Sequence, residues 1–464
     1  MFSFPCRPQG FPWLALVWLL AVQAGMSSVA AQTEEKVNPS PESRDVAGFP
    51  RVSGAVSAES VVQLGLQHSF EIAMSRSRLR MSLAETEEAR SATRPQLSLN
   101  GYGMRNSMPM IYQSAPGVMP GFIQQYDRPG ALSASLMLMM PLFTGGALEN
   151  QLQAAEQAEK AAVAKTALSL RETARQVRLG YFKVQQSRAS AQVLVWQRKQ
   201  NEEMERIAQE QLKAGKVAPF VRLRAQAEVA ATQQKQNELD AEITEREVAL
   251  KTAMGVSVDS LFEYPEVEVA PAAPAPLPDL VKLALSERSD LVAARYAVEQ
   301  RDRLVAAAVS EYSPKAYLVG MGESTRTNPF GASMSETGYS VGIVLSFPLF
   351  DGGMRAARED GARASLEENQ LKLRQLELET TGQVTSARAR LVASLQNLDL
   401  SQVELAKAEE DWRIAHLRQV AGRSLYVESL DALLALARAR NNQVSALYSA
   451  RLADADLVYA TGRY

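Results

Sequence analysis

The sequence predicts a mixed fold, in which long antiparallel coiled-coil helices are joined to four amphipathic β-strands and the whole arrangement occurs twice. Three observations predict it: an N-terminal export signal, two near-identical turn segments far apart in the chain, and two proline-free stretches too long for ordinary globular helices.

The export signal comes first. Arg7 precedes an apolar run that includes Phe11, Leu14, Leu16, Val17, Trp18, Leu19, Leu20, Ala21 and Val22, and then Ser27, Ser28, Val29, Ala30 and Ala31. A charged start, a short apolar core and an Ala-x-Ala-like exit describe a signal peptide over residues 1–31, cut after Ala31. The run is shorter than the roughly 20 residues a membrane-spanning helix needs. No later apolar run is that long, so entry into a membrane would have to be as strands. The single cysteine, Cys6, precedes the apolar core, which leaves the mature chain without a thiol, a disulfide or a cysteine metal site. The 50 Lys and Arg balance the 52 Asp and Glu, which argues against a nucleic-acid partner.

The repeat organises everything after the signal. Met140-Pro141-Leu142-Phe143-Thr144-Gly145-Gly146 returns as Phe347-Pro348-Leu349-Phe350-Asp351-Gly352-Gly353, with Pro348 standing 207 residues after Pro141. The same offset aligns Gln176-Val177 with Gln383-Val384, Arg206-Ile207-Ala208 with Arg413-Ile414-Ala415, Ala214-Gly215 with Ala421-Gly422, and Gly255 with Gly462. Upstream, Pro95 and Pro314 differ by 219, so the first copy has a longer loop between Pro95 and Pro141. Two copies indicate a duplication rather than a solenoid. Residues 58–264 form the first copy and 277–464 the second. A stiff Pro/Ala linker over 265–276 joins them, and residues 32–57, rich in Ser, Pro and charge, read as a flexible lead-in.

Within each copy the hydrophobic period changes. Tyr339, Val341, Ile343, Leu345 and Phe347 alternate with small or polar Ser340, Gly342 and Ser346, the pattern of a strand with one apolar and one wet face. Leu132 to Leu142 reads the same way with a blurred alternation, and Gln96–Met104 and Lys315–Glu323, each opened by a proline, supply two more strands. After each Gly-Gly the pattern turns helical. Ala147 to about Lys213 and Met354 to Val420 contain no proline, and at about 1.5 Å per residue each is a rod of roughly 100 Å. Heptad seams run through Val163, Leu170, Val177, Val184 and Ala191, and through Val384, Leu391, Leu398, Leu405 and Trp412. A column of small residues, Ala387, Ser394, Ser401, Ala408 and Ala415, lies beside the second seam. The rods reverse at Gly215 and Gly422, where glycine takes the left-handed conformation that ends a helix. Return helices follow from about Pro219 to Met254 and from Tyr426 to Thr461.

Four strands with lipid-type alternation leave two unpaired edges, and each unsatisfied backbone group in a bilayer costs several kcal/mol. Four strands are also too few for a barrel of their own. Oligomerisation is the simplest closure, and three chains would supply twelve strands.

The Pro-Leu-Phe-x-Gly-Gly strand exits, the two glycine reversals, and the return helices ending Ala-Met-Gly255 and Ala-Thr-Gly462 resemble the TolC-like outer-membrane efflux protein family over roughly residues 58–462. The resemblance implies a homotrimer with a twelve-stranded barrel in outer-membrane lipid and a helical tunnel across the periplasm. It implies a periplasmic adaptor (membrane fusion) protein as partner and, through it, an inner-membrane transporter. Function would then be passive export through the exit duct of a tripartite efflux or type I secretion system, without catalysis or cofactor. Drugs, metals and secreted polypeptides are all compatible cargoes.

Residue roles follow from the resemblance. Two carboxylates, six and nine residues after the second glycine, form the narrow channel aperture in the family's best-known member, and those positions here are Glu428 and Asp431. Three copies of each would make a negative constriction; alternatively both are solvated acids at a helix N-terminus. The resemblance places closing partners at Ser424, Gln419 and Val221, none of which can form the expected charged link. Gly215, Lys216, Gly422 and Arg423 stand at the tips, where an adaptor would dock. Pro141, Gly145, Gly146, Pro348, Gly352 and Gly353 would make the barrel-to-helix turns.

Other chemistry is sparse. His68 and His416, the only histidines, lack a ligand pattern and read as surface or packing residues. Met104, Met108, Met110 and Met119 read as an outer loop rich in methionine or as thioethers for a soft metal. There is no P-loop and no nucleophile elbow. A periplasmic coiled-coil adaptor or scaffold would share the rods but would not need the amphipathic strand pairs. A surface adhesin would show one long rod and a C-terminal barrel anchor.

Overall fold

The computed structural model describes residues 48–105, 110–113, 123–126, 130–265, 270–327, 334–421, 423 and 425–463. The expected signal peptide, Gly422, Ser424, Met108 and Met119 lie outside these residues. Val52–Tyr464 forms one compact unit, to which every element below belongs.

In the first copy the elements are β1 (Ser53–Ala55), α1 (Ala58–His68), α2 (Phe70–Ser91), β2 (Gln96–Arg105), β3 (Met110–Gln113), β4 (Ile123–Tyr126), β5 (Gly130–Phe143), α3 (Ala147–Lys213), α4 (Pro219–Met254) and β6 (Leu261–Glu263). The second copy has α5 (Leu277–Glu287), α6 (Ser289–Ser310), β7 (Lys315–Thr327), β8 (Met334–Ser346), α7 (Met354–Val420) and α8 (Tyr426–Ala460). Both rods, α3 and α7, have 67 residues, so the duplication is preserved in length as well as in sequence.

All four expected strands form one antiparallel sheet in the order β2-β5-β7-β8. Its apolar face carries Leu97, Leu99, Leu132, Leu136, Tyr339, Val341, Ile343 and Leu345, all exposed. The opposite face carries Ser98, Asn100, Ser133, Ser135 and Glu323, and there Glu323 Oε1 accepts from Ser133 Oγ (2.9 Å) and Thr325 Oγ1 (3.0 Å). The longer loop of the first copy contains the hairpin β3–β4, with Met110 opposite Tyr126. No described helix is long and apolar enough to cross a membrane.

Two expectations need correction. Residues 53–57 do not belong to a flexible lead-in: β1 pairs in parallel with β6, Ser53 opposite Leu261, and Ser57 caps α1 in a capping box with Ser60. Buried Phe262 ties this small sheet to the core. The first heptad seam holds only in part, since Val177 and Val184 are fully buried but Val163 is 53% exposed. Around Val163, α3 faces the short helices instead: Thr166 meets Ser75 of α2 at 3.3 Å, and Lys160 lies over the ring of Tyr296 in α6. The second seam holds along its upper part, with Val384, Leu391 and Leu398 buried and Ala387, Ser401 and Ala408 buried beside it.

Each strand-to-rod exit is a pair of left-handed glycines: Gly145 and Gly146 at φ 65° and 87°, Gly352 and Gly353 at φ 68° and 92°. A side chain at Gly145 would meet Ser313, its Cβ only 2.2 Å from that of the serine, so the first exit has no room for a larger residue. A register shift between Pro141 and Phe143 precedes that exit. In the second, Asp351 accepts the backbone N–H groups of Gly353 and Arg355, each at 3.1 Å.

The core gathers at mid-rod, where α1, α3, α4, α8 and the small sheet meet around Val61, Val177, Tyr181, Leu250, Met254 and Phe262. A second cluster around Leu280, Ala284, Val384, Leu391 and Leu457 joins α5, α7 and α8. Helix α6 lies between the two rods, and α2 packs on α3.

Candidate functional site at the distal ends of the rods

The end of α3 is a complete Schellman motif: Gly215 (φ 68°) donates to Leu212 O at 3.0 Å, and Lys216 donates to Gln211 O at 2.8 Å. At the end of α7, Arg423 donates to Arg418 O at 2.8 Å, the matching outer bond of the same motif. Lys216 and Arg423 thus stand at equivalent points just past the two rods, both exposed. Pro219 then opens α4, its missing N–H harmless in a first turn.

Helix α8 begins with two distinct faces. Glu428 and Asp431 share an exposed face, with Glu428 in the first turn, where the helix dipole favours a carboxylate. On the other face Tyr426, Leu430 and Leu433 pack with Met204, Ala208 and Ala225, and with half-buried Val221 and Trp412. Ser429 is fully buried and its hydroxyl donates to Ala415 O of α7 at 3.1 Å. Val221 is therefore a packing residue, and Gln419 lies 1% exposed with neither amide atom hydrogen-bonded in the protein. His416 stacks on Trp412, ring centroids 4.9 Å apart.

Tyr426 and the burial of Gln419 escaped the sequence reading. The signal available was a break in the repeat: at the same offset Tyr426 aligns with Pro219 and Gln419 with Leu212, polar-capable side chains in the second copy only. Buried Tyr426 has no partner for its hydroxyl, and burial pushes its pKa up to about 12, with the nearby Glu228 adding to the rise. Around the tips Phe220, Leu223, Leu417, Val420 and Leu425 are exposed, an apolar surface the heptad pattern did not announce. Among the described residues no group of three His, Cys, Asp or Glu is placed to hold a metal ion.

The sequence profile of the outer membrane efflux protein family matches residues 61–256 and 280–463, both copies in order. The chain belongs to this family. No curated protein sequence matches the chain significantly. Among solved structures, VceC of Vibrio cholerae is similar at TM-score 0.74 and 17% identity, over 87% of this chain and 96% of that one. The CmeC outer-membrane channel of Campylobacter jejuni also gives 0.74 at 17% identity, over 87% of this chain and 85% of the other. The open state of the Neisseria gonorrhoeae channel MtrE gives 0.68 at 18% identity, over 87% and 88%. As an outer membrane efflux protein the chain has the helical-tunnel and barrel-strand fold of these channels. It is an exit duct of the outer membrane that extends into the periplasm.

Proposed function

We propose that three copies of this chain close their four-stranded sheets into one twelve-stranded barrel and pool their rods into a tunnel that conducts cargo passively. The observation that carries this is the sheet itself. Strands β2 and β8 are both edges, and the apolar face beside them is exposed along its length. In lipid such edges must be paired, and copies of the same sheet supply the pairing.

At the distal ends, Gly215, Lys216, Gly422 and Arg423, together with the exposed apolar Phe220, Leu223 and Val420, form the surface for a periplasmic adaptor. Through that adaptor the duct joins an inner-membrane transporter. Glu428 and Asp431, exposed on one face of α8, ring the mouth and favour cations there. The expected charged latch is replaced by packing: Val221 joins the apolar cluster, and Gln419 is buried.

The test combines assembly with transport. Outer-membrane fractions should yield a heat-sensitive trimer. Charge reversal at Lys216 and Arg423, or bulky residues at Gly215 and Gly422, should abolish efflux while that trimer still forms. Unchanged efflux would remove the tip assignment, and a monomer in the soluble periplasm would remove the channel.

A further inference from the structure

The blurred alternation of β5 has a specific cause. On the face that carries Ser133 and Ser135, the next two positions toward the rod are Met137 and Met139. Directly across the ladder from Met137 stands Met321 of β7 on one side and Ser98 of β2 on the other, while Met321 faces Ser340 of β8. Opposed residues on antiparallel neighbours point to the same side of a sheet. The three methionines therefore lie on the wet face, among Ser98, Ser340 and Glu323. They are not core residues: Met139 is 38% exposed, Met321 is 42% exposed, and none of the three joins a buried cluster.

Their spacing suits a common ligand. Opposed Cβ atoms lie about 5 Å apart and next-but-one positions about 7 Å, within reach of three flexible, unbranched thioethers. Neutral, polarizable sulfur prefers soft monovalent cations to hard ones. One rung away, opposite Ser135, Glu323 brings a carboxylate to the same face, oriented by its bonds from Ser133 and Thr325. Among the described residues the basic one on this face is Lys315, at the base of β7, six residues from Met321.

We propose that Met137, Met139 and Met321 form a three-thioether site for a soft monovalent cation, Cu(I) or Ag(I), on the inner wall of the barrel. This rests on the barrel closure proposed above, which makes the wet face the lumen. The site is open and shallow, so it holds the ion weakly and releases it along the duct.

The test uses the full-length trimer in detergent, titrated with silver nitrate in chloride-free buffer. X-ray absorption should show a shell of sulfur ligands around silver, with one ion bound per chain. In the M137L/M139L/M321L variant, whose side chains keep nearly the same volume, affinity should fall at least tenfold while heat-sensitive trimer migration is unchanged. M321L alone, the milder change, should weaken silver binding at least threefold. A trimer that takes up no silver, or that binds it equally after the triple substitution, overturns the site and leaves the methionines as an apolar stretch of wall. Loss of binding on changing Met108, Met110 and Met119 instead would assign silver to the segment between β2 and β5 and also overturn it. Failure of the wild-type chain to form a trimer would overturn the barrel reading, and this site with it.

Discussion

The middle of the molecule and the distal ends of its rods are held by different means. At the middle, polar side chains link separate elements: Tyr181 donates to Val56 O (3.0 Å), Gln185 to Pro265 O (2.5 Å), Arg388 to Ala275 O (3.0 Å), and Arg175 pairs with Asp456 (2.7 Å). The helix ends there are also fixed by contact, since a Cβ on Gly255 would lie 2.3 Å from His68 O. At the distal ends Arg206 pairs with Glu203 and Glu210, and Arg413 with Glu410, each within its own rod. One hairpin is held to the next there by the apolar cluster around Met204, Leu430 and Leu433, edged by Arg440 over the ring of Trp196, with Tyr426 and Gln419 buried nearby without protein partners for their polar atoms. Apolar contacts have no fixed direction and can be exchanged by sliding, whereas paired charges must be broken. The middle is thus built as a fixed collar, and the tips as ends that can rearrange.

The largest test of that contrast lies at Arg288. Its side chain is 7% exposed, grips Asp290 through two bonds (3.0 and 2.6 Å) and reaches Gln383 Oε1 at 2.7 Å, tying the α5–α6 turn to α7. Arg288→Ala would leave Asp290 and Gln383 facing a void, and breaking a buried pair this way costs about 3–5 kcal/mol. The collar should then melt well below the wild-type temperature when helical circular dichroism is followed in detergent. A change under about 1 kcal/mol would show that the collar does not depend on this knot.

Much of this architecture is legible in the sequence because it is long and periodic. The bounds of α3 and α7 follow from Gly-Gly at one end, Gly215 or Gly422 at the other, and no proline between. Two of the four sheet strands follow from alternation, and the other two from the prolines that open them. Shorter features leave no period to read: β1 and β6 span three residues each, too few to show alternation. The first seam fails at Val163 because α3 changes neighbours along its length, and a single heptad register assumes one partner throughout. At the start of α8, Glu428 and Asp431 are legible through the family resemblance, as the acids six and nine residues after the second glycine. The packing of Tyr426 and Gln419 is not, because burial at a helix end depends on which hairpin lies across from it.

Smaller effects are expected at the tips, and with the opposite sign. Gln419 is buried with its whole amide unpartnered, and an unsatisfied buried amide costs about 1–3 kcal/mol. Gln419→Leu should therefore tighten the end of α7. Amide hydrogen exchange should slow over Ile414–Val420, and efflux should fall if the tips must part for passage. Faster exchange in this variant would mean that the amide finds partners of its own and that the tip is held by them.

Tyr426 gives the finest test, because it makes the tip sensitive to pH. Burial, reinforced by the nearby Glu228 and opposed by Arg224, raises its pKa from the usual 10 to about 12. Between pH 10 and 12 the packed tyrosine keeps its proton while an opened, solvated one gives it up. Proton binding therefore favours the packed tip, and its stability declines as pH rises through that window. Tyr426→Phe removes both the unpartnered hydroxyl and the titration. At pH 8 the variant should differ from wild type by less than about 1 kcal/mol, the scale of a single neutral hydrogen-bonding group. Between pH 10 and 12, exchange at the start of α8 should quicken more in wild type than in the variant, once the response common to both is subtracted. Equal responses would place the tyrosine in contact with solvent already at pH 8, and the tip would then be looser at rest than its packing implies.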